Sequence, residues 1–258
     1  MSAARALVLD CDGVLADTEL DGHLVAFNQA FDELGHDIRW TKEEYKMLLK
    51  VGGGKERLLA YLADHPEIDF AAGGDLREAV AALHRRKSEI YVELVEAGKL
   101  PGRPGIRRLV TEALDAGWQV AVASTSATKS VEAVLRAVVG EEAFGRLSGI
   151  YAGDVVPTKK PAPDIYNLAV RELGRERDEV VVVEDSAAGA LAAERAGLHH
   201  VVTVSYFTTE DDFPAAAVVV DDLGEPGHPA NVRAGADVRN VDGYIDVTSL
   251  EKLLEPAV

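Results

Sequence analysis

Hydrophobic and polar residues form two kinds of pattern along this chain of 258 residues. Short apolar runs, typical of buried strands, alternate with stretches in which apolar residues recur every three or four positions, as in amphipathic helices. The predicted strands span residues 6–9, 119–123, 150–152, 180–183 and 200–204. Strands that alternate with helices predict an α/β fold, a Rossmann-like doubly wound parallel sheet.

Between the first and second strands the pattern is helical throughout, with predicted helices over residues 18–34, 42–51, 55–63 and 75–97. Thr41 to Glu44 has the form of a capping box at the start of one of them. We therefore predict a discontinuous α/β core of residues 1–16 and 99–258, and an inserted all-helical cap of residues 17–98. Because the insertion begins where the first strand ends, we expect a lid that excludes water and selects the substrate.

The C-terminal pattern is weaker. Residues 218–220 are predicted to form a last edge strand and residues 248–254 a last helix. The stretch between them is rich in Gly, Pro and Asp, which predicts a loop.

The composition narrows the class of protein. With 47% hydrophobic and 28% charged residues, the chain is an ordinary globular sequence. We find no apolar stretch near the roughly 20 residues needed to span a bilayer, no signal peptide, and a single cysteine, which excludes an internal disulfide. We expect a cytoplasmic enzyme with no membrane partner, monomeric by default.

The formal net charge of −17 argues against a nucleic-acid partner, because phosphate backbones are bound by concentrated Lys and Arg. It does not exclude small anionic substrates. Charges are screened over roughly 8 Å at physiological salt, so a local cluster of cations can outweigh the global sign.

Two carboxylates follow the first strand, in the sequence Asp10-Cys11-Asp12-Gly13. Open α/β sheets bind ligands beyond the carboxyl ends of their strands, and residues two apart in a strand share a face. Asp10 and Asp12 can therefore converge, and a hard cation such as Mg²⁺ or a retained proton relieves their repulsion. The later positions of an EF-hand loop do not match, and Cys11 is expected to be a packed strand cysteine.

A hydroxyl cluster and a lysine follow two further predicted strands. Ser124 lies at a strand tip, where it can donate a hydrogen bond to a phosphate oxygen, whereas Ser126 is expected to cap the next helix. Lys160 precedes Pro161 after another strand. At a strand end its ammonium can hold a phosphate against a carboxylate.

Glu184 and Asp185 end the fourth predicted strand. Two acids at the end of a buried strand are costly unless they are neutralised. A metal ion shared with Asp10 and Asp12 is therefore favoured over an ordinary loop.

This ordered set of strand ends resembles the haloacid dehalogenase superfamily of phosphohydrolases over almost the whole chain, and the helical insertion resembles the C1 cap of its subfamily I. The resemblance implies that Asp10 attacks phosphorus to form an aspartyl-phosphate, and that Asp12 protonates the leaving oxygen and then activates water. It implies that Ser124 and Lys160 hold the phosphoryl group. The implied Mg²⁺ ligands are Asp10, the Asp12 carbonyl and Asp185, with Glu184 bonded to the ion's waters.

Within this subfamily the chain is similar to CbbY-like sugar-phosphate phosphatases, through residues 10–19, 21–23, 26–28, 52–57, 151–157, 159–166 and 181–189. These enzymes remove the 1-phosphate of xylulose-1,5-bisphosphate, so a small sugar phosphate is the implied partner. The alternative is a β-phosphoglucomutase-like isomerase, in which a sugar hydroxyl instead of water meets the aspartyl-phosphate. A receiver-type signalling domain also groups acids and a lysine around Mg²⁺, but it has no use for a cap.

The segment Gly52 to Arg57 lacks the spacing of a nucleotide P-loop. As a cap loop, its glycines let the backbone approach a ligand, and its cations begin a helix whose amides favour anions, which suits a second phosphate. The residues implied to bind substrate are Glu19, His23, Gly53, Lys55, Arg57, Lys87 and Thr125. The segment from Asp12 to His23 is one residue longer than in bacterial relatives, which turns His23 by roughly 100° unless the local geometry absorbs the extra residue.

Overall fold

The structure is a computed structural model that describes residues 5–255. Its chain divides into two compact units. The α/β unit holds the residues up to Asp17 and those from Pro101 onward, and the helical unit spans Thr18–Leu100. The boundaries between the units lie after Asp17 and after Leu100, which is one residue and two residues later, respectively, than the sequence pattern predicts.

Within residues 5–255 the α/β unit contains a sheet of seven strands in the order β3-β2-β1-β4-β5-β6-β7. Neighbouring strands are parallel except for β6 and β7. The strands are β1 Ala6–Leu9, β2 Gln119–Ser124, β3 Gly149–Ala152, β4 Val180–Glu184, β5 His199–Thr203, β6 Val218–Val220 and β7 Val232–Gly235. Leu9 in β1 is paired with both Val122 and Val183. The residues that follow β1, β2 and β4 therefore emerge side by side.

Nine α-helices are found in the described residues. They are α1 Leu24–Glu33, α2 Lys42–Leu48, α3 Gly54–Asp64, α4 Leu76–Glu96, α5 Ile106–Asp115, α6 Thr128–Phe144, α7 Asp164–Leu173, α8 Ala187–Arg195 and α9 Val247–Leu254. The first four lie in the helical unit and the last five in the α/β unit. None of them combines the length and the apolar composition that crossing a bilayer requires.

The sheet is covered on both faces. Ala6 and Val8 pack with α7 and α8 in one buried apolar cluster. Leu7 and Leu9, which alternate with them, are also fully buried and point to the opposite face. In addition, α5 contacts β2 and α9 contacts β4. A strand buried on both faces explains the uninterrupted apolar run of β1. The predicted doubly wound α/β fold is confirmed.

The helical unit departs from the predicted pattern at its first helix. Instead of one continuous helix from residue 18, a π-helical segment, Glu19–His23, precedes α1. A π-helix closes i→i+5 hydrogen bonds and so accommodates an extra residue in a turn. This geometry is one that can absorb an additional residue of the kind expected from the sequence before His23. The capping box at Thr41 and Glu44 is confirmed at the start of α2.

The prediction that residues 221–247 form only a loop is wrong. They contain β7, which pairs antiparallel with β6. The edge strand is therefore β7, and β6, which was predicted to be the edge strand, lies between β5 and β7. The side chains of β7 are mostly exposed. Backbone hydrogen bonds rather than buried side chains hold it, so its sequence lacks the alternation of apolar residues that marks a strand.

Candidate active site

Polar side chains emerge from the carboxyl ends of β1, β2 and β4. Asp10 follows β1 directly, Ser124 ends β2 and Glu184 ends β4, and all three residues are buried. The Asp10 amide donates to the Val183 carbonyl at 2.9 Å. The pairing of β1 with β4 thus continues through Asp10 and brings these side chains to one edge of the sheet.

Lys160 bridges the acids at this edge. Its Nζ donates to Asp10 Oδ1 at 2.6 Å, to Glu184 Oε1 at 2.6 Å and to the Ala123 carbonyl at 2.9 Å. A protonated lysine has three hydrogens to donate, which matches these three acceptors in number. The Tyr166 hydroxyl donates to the same Glu184 oxygen. Sequence analysis did not single out Tyr166, because its position on the apolar face of α7 indicates only a core residue.

Asp10, Glu184 and Asp185 form a compact acidic cluster. One carboxylate oxygen from each lies within 4.8 Å of the other two. Two glycines make room for these carboxylates. A Cβ on Gly13, whose φ is +77°, would lie 1.9 Å from Asp185 Oδ2, and one on Gly189 would lie 2.0 Å from Glu184 Oε1. Any other residue at either position would displace an acid of the cluster.

Burial has the largest effect on the pKa values of Asp10 and Asp185 in the cluster, and the excess negative charge of the cluster adds to that effect. Burial raises the pKa of Asp10 to about 7 against the opposing effect of Lys160, and Glu184 and Asp12 add to the rise. Burial also raises the pKa of Asp185 well above its usual range, with Glu184 contributing. Burial alone would lower the pKa of Lys160, but Asp10 and Glu184 outweigh it and raise that pKa well above its ordinary value.

This donor set fits a hard divalent cation. Carboxylate oxygens are the ligands that Mg²⁺ prefers. A divalent ion would offset both the burial and the like charge that raise the pKa values of Asp10 and Asp185. Among the described residues, Asp10, Glu184 and Asp185 are the acids grouped closely enough to hold such an ion through their side chains.

The carboxylate of Asp12 lies in different surroundings. It is half-buried and accepts a hydrogen bond from the Ser126 hydroxyl. The prediction that Ser126 caps α6 is wrong, because Ala127 occupies the N-cap and no side chain caps that helix. The Ser126 amide donates to Ser124 Oγ at 3.1 Å, so one turn holds both serines. Thr125, between them, is exposed.

In the helical unit, Tyr45 links Arg57 to Glu19. Arg57 Nη1 donates to the Tyr45 hydroxyl at 2.5 Å, and that hydroxyl donates to Glu19 Oε2 at 2.6 Å. Arg57 is only 6% exposed, and its amide donates to the Gly53 carbonyl at the start of α3. Lys55, in the first turn of α3, is exposed. Sequence analysis missed Tyr45, since a tyrosine on a short helix gives no signal beyond packing.

Lys87 lies in a second cluster of side chains in the helical unit that contains basic residues. Its buried Nζ lies 2.8 Å from His23 Nδ1 and 5.4 Å from the centre of the Tyr91 ring, which stacks on His23. Burial lowers the pKa of His84 to about 4, and the charges of Lys87 and Lys55 add to this effect. The helical unit thus gathers cations, whereas the α/β unit gathers acids.

The fold and the strand-end cluster define a class of hydrolase. The family model of the haloacid dehalogenase-like hydrolases matches residues 4–197, and the chain belongs to this family. It is 46% identical over 223 residues to a CbbY-like protein of Arabidopsis thaliana, covering 86% of this chain and 70% of that protein. It is 43% identical over 227 residues to protein CbbY of Cupriavidus necator, covering 87% of this chain and 88% of that protein.

Solved structures extend the likeness. One of them is an aspartate-to-asparagine variant of CbbY from Rhodobacter sphaeroides in complex with xylulose-(1,5)bisphosphate. Its sequence is 41% identical to this chain, and the two structures superpose with a TM-score of 0.76. The match covers 87% of this chain and 96% of that one. The predicted superfamily and the predicted similarity to its CbbY-like members are both confirmed.

Proposed function

We propose that this chain is a Mg²⁺-dependent phosphatase that hydrolyses a sugar bisphosphate, with xylulose-1,5-bisphosphate as the first candidate. The observation that carries the proposal is the contact of Lys160 with both Asp10 and Glu184 at 2.6 Å, within a buried acidic cluster. A carboxylate beside an ammonium and a cation site can approach an anionic phosphate, because the cations offset the repulsion. Similarity to the CbbY crystallised with xylulose-(1,5)bisphosphate supports this substrate.

We assign Mg²⁺ to the carboxylates of Asp10 and Asp185 and the carbonyl of Asp12, with Glu184 bonded to its waters. When bound, the ion offsets the charge of the phosphoryl oxygens and of the attacking carboxylate. The pKa values of Asp10 and Asp185 both rise through burial and like charge, which is consistent with their sharing a cation.

The proposed reaction has two steps. In the first, an Asp10 carboxylate oxygen bonds to phosphorus, the bond from phosphorus to the sugar oxygen breaks, and protonated Asp12 gives its proton to that oxygen. In the second, Asp12 takes a proton from water, and the water oxygen attacks phosphorus to release Asp10 and inorganic phosphate. Ser126, bonded to the Asp12 carboxylate, orients it, while Ser124 and Lys160 hold the phosphoryl oxygens.

We assign recognition of the phosphate that is not transferred to the helical unit. Arg57, ordered by Tyr45 and Glu19, supplies a buried cation, and Lys55 lies in the first turn of α3, where main-chain amides favour anions. The backbone of Gly53 belongs to the same turn. The remaining proposed substrate contacts are His23, Lys87 and Thr125.

Phosphate release by the purified protein in Mg²⁺ tests the proposal. The substrates to compare are xylulose-1,5-bisphosphate, ribulose-1,5-bisphosphate, fructose-1,6-bisphosphate, β-glucose-1-phosphate and phosphoglycolate. We expect a clear preference for the first and no release once the metal is chelated. Equal rates on all substrates would indicate a general phosphatase, and isomerisation of β-glucose-1-phosphate with little phosphate release would indicate a mutase. No release from any substrate would overturn the proposal.

A further inference from the structure

Arg103 joins the loop that follows β1 to the ends of two other strands. Its guanidinium donates to the Gly13 carbonyl at 2.5 Å, the Val204 carbonyl at 2.7 Å and the Thr203 carbonyl at 3.4 Å, and it also donates to the Asp221 carbonyl. One planar side chain with several fixed donors thus holds main chain from three separate segments.

The backbone beside Arg103 holds the other edge of the same loop. The Arg103 amide donates to the Leu15 carbonyl at 2.9 Å, and Gly102 forms an antiparallel bridge with Ala16. Within the loop, the Gly13 amide donates to the Ala16 carbonyl at 2.9 Å. Residues 13–16 are therefore fixed from both sides by one short segment of chain.

Gly13 connects this support to the catalytic groups. It follows Asp12 directly, and it is packed so closely against Asp185 that a Cβ at position 13 would lie 1.9 Å from Asp185 Oδ2. We therefore expect a displacement of the Gly13 carbonyl to reach the Asp12 backbone or the Asp185 carboxylate.

We propose that Arg103 is a positioning residue, which sets the placement of Asp12 and the affinity of the site for Mg²⁺ through the Gly13 peptide without touching substrate or metal. This inference rests on the proposed phosphatase function. It predicts that loss of the guanidinium affects turnover and metal binding more than substrate affinity.

Arg108 provides a matched control. It also binds main-chain carbonyls, donating to Gly224 at 2.9 Å and to Ile245 at 2.9 Å, and its guanidinium lies over the Tyr244 ring at 4.2 Å. These partners belong to the C-terminal segment and none belongs to the loop after β1. A merely structural role of a carbonyl-binding arginine would appear equally at both positions.

The test compares Arg103→Gln and Arg103→Lys with Arg108→Gln. For Arg103→Gln we expect kcat to fall about 10- to 100-fold with KM changed by less than about twofold, as for a small misplacement of catalytic groups. Without substrate, more Mg²⁺ should be needed for half of the maximal rise in Tm. In the metal-free protein, hydrogen exchange in a peptide covering residues 11–16 should be faster. Arg108→Gln should lower Tm and leave these three readouts unchanged.

Arg103→Lys keeps the charge of Arg103 but not its fork of donors. If Arg103→Gln does not fold, the same three readouts in Arg103→Lys, compared with those in Arg108→Gln, test the role of Arg103. Equal kcat, Mg²⁺ dependence and exchange in the Arg103 and Arg108 variants would overturn the inference. If the wild-type protein releases no phosphate, the proposed function fails, while the Mg²⁺ dependence of Tm and the exchange rates still decide the role of Arg103.

Discussion

The polar clusters of the two units are opposite in charge and different in origin. In the α/β unit, buried acids surround one ammonium, that of Lys160, and every member comes from the end of a strand or the loop after it. In the helical unit, the buried cations Arg57 and Lys87 lie on helix faces, and Glu19 is the acid joined to Arg57. An acidic cluster fits a metal cation, and a basic one fits the phosphate of a substrate.

Under the proposed function, the α/β unit carries out the reaction and the helical unit recognises the substrate. Parallel strands in register determine which side chains meet at the sheet edge, so the reacting groups depend on the most rigid part of the fold. Helix faces meet through side-chain packing, which tolerates substitution more readily. If this comparison is right, substitution of the acidic cluster or of Lys160 should lower turnover on every substrate, and substitution of Arg57 or Tyr45 should change preference among substrates.

The largest effect is expected for Asp10→Asn. Without the attacking carboxylate, kcat should fall by more than about 10⁴-fold, as when a nucleophile is removed from other enzymes that form covalent intermediates. Single-turnover phosphate release measures it. Substantial turnover in this variant would mean that Asp10 is not the nucleophile.

Lys160→Met should have the next largest effect. It removes the donor shared by Asp10 and Glu184, so kcat/KM should fall about 10²- to 10³-fold and the free energy of unfolding by about 3–5 kcal/mol, because buried acids lose their counter-charge. Enzyme assays and urea denaturation measure the two effects. In Lys159→Met, which removes an exposed lysine 3.0 Å from exposed Asp154, both should stay near wild type. Similar losses in the two variants would contradict the assigned role.

Arg57→Ala tests the helical unit. Loss of a charged contact to the second phosphate should raise KM for a bisphosphate about 10- to 100-fold, corresponding to about 1.5–3 kcal/mol. Hydrolysis of a monophosphate should change little, and steady-state kinetics on both substrates provide the comparison. The matched control is Arg85→Ala, which alters an exposed arginine of α4. Equal losses on both kinds of substrate would remove the distinction between the units.

Tyr45→Phe should produce a smaller change of the same kind. It deletes the hydroxyl that accepts from Arg57 and donates to Glu19. Because the direct Arg57–Glu19 ion pair remains, we expect a net cost of about 0.5–1.5 kcal/mol, and KM for the bisphosphate should rise about 3- to 10-fold with kcat retained. Tyr61→Phe, also in the helical unit, is the control. A fall in kcat with unchanged KM would show that Tyr45 acts on something other than substrate recognition.

A separate effect, on stability and not on kinetics, is expected in the absence of metal. Because the folded protein holds a proton on Asp10 up to a pKa of about 7, against an ordinary value of 3.8, folding binds protons between these pH values, and stability should fall as the pH rises through them. Melting curves in chelator from pH 4 to pH 8 should show this slope. It should be reduced in Asp10→Asn and by saturating Mg²⁺, and an unchanged slope in both cases would exclude Asp10 as its source.

The sequence alone predicted much of the α/β unit. The apolar runs predicted β1 through β6 within about a residue at each end. Of the polar residues placed after them, Asp10, Lys160, Glu184 and Asp185 lie together, whereas the Asp12 carboxylate is not part of their cluster. The sequence analysis missed β7, which is held by backbone pairing, and Tyr166, whose hydroxyl binds Glu184 although its position indicates only a core residue. It also assigned Ser126 to a helix cap, because a hydroxyl before a helix gives the same pattern whether it binds the backbone or a neighbouring carboxylate.

The sequence by itself determined the order of strands and helices, the acids and the lysine at the strand ends, and the resemblance to a family of phosphohydrolases. It could place the strands and helices because local patterns of two or about 3.6 residues decide which faces are buried, and the resemblance rests on the motifs at the strand ends. Only the tertiary structure decided that Lys160 bridges Asp10 and Glu184, that Tyr45 joins Arg57 to Glu19, and that Arg103 holds the Gly13 carbonyl. These contacts join residues far apart in the chain, and their geometry follows from packing, on which periodicity carries no information.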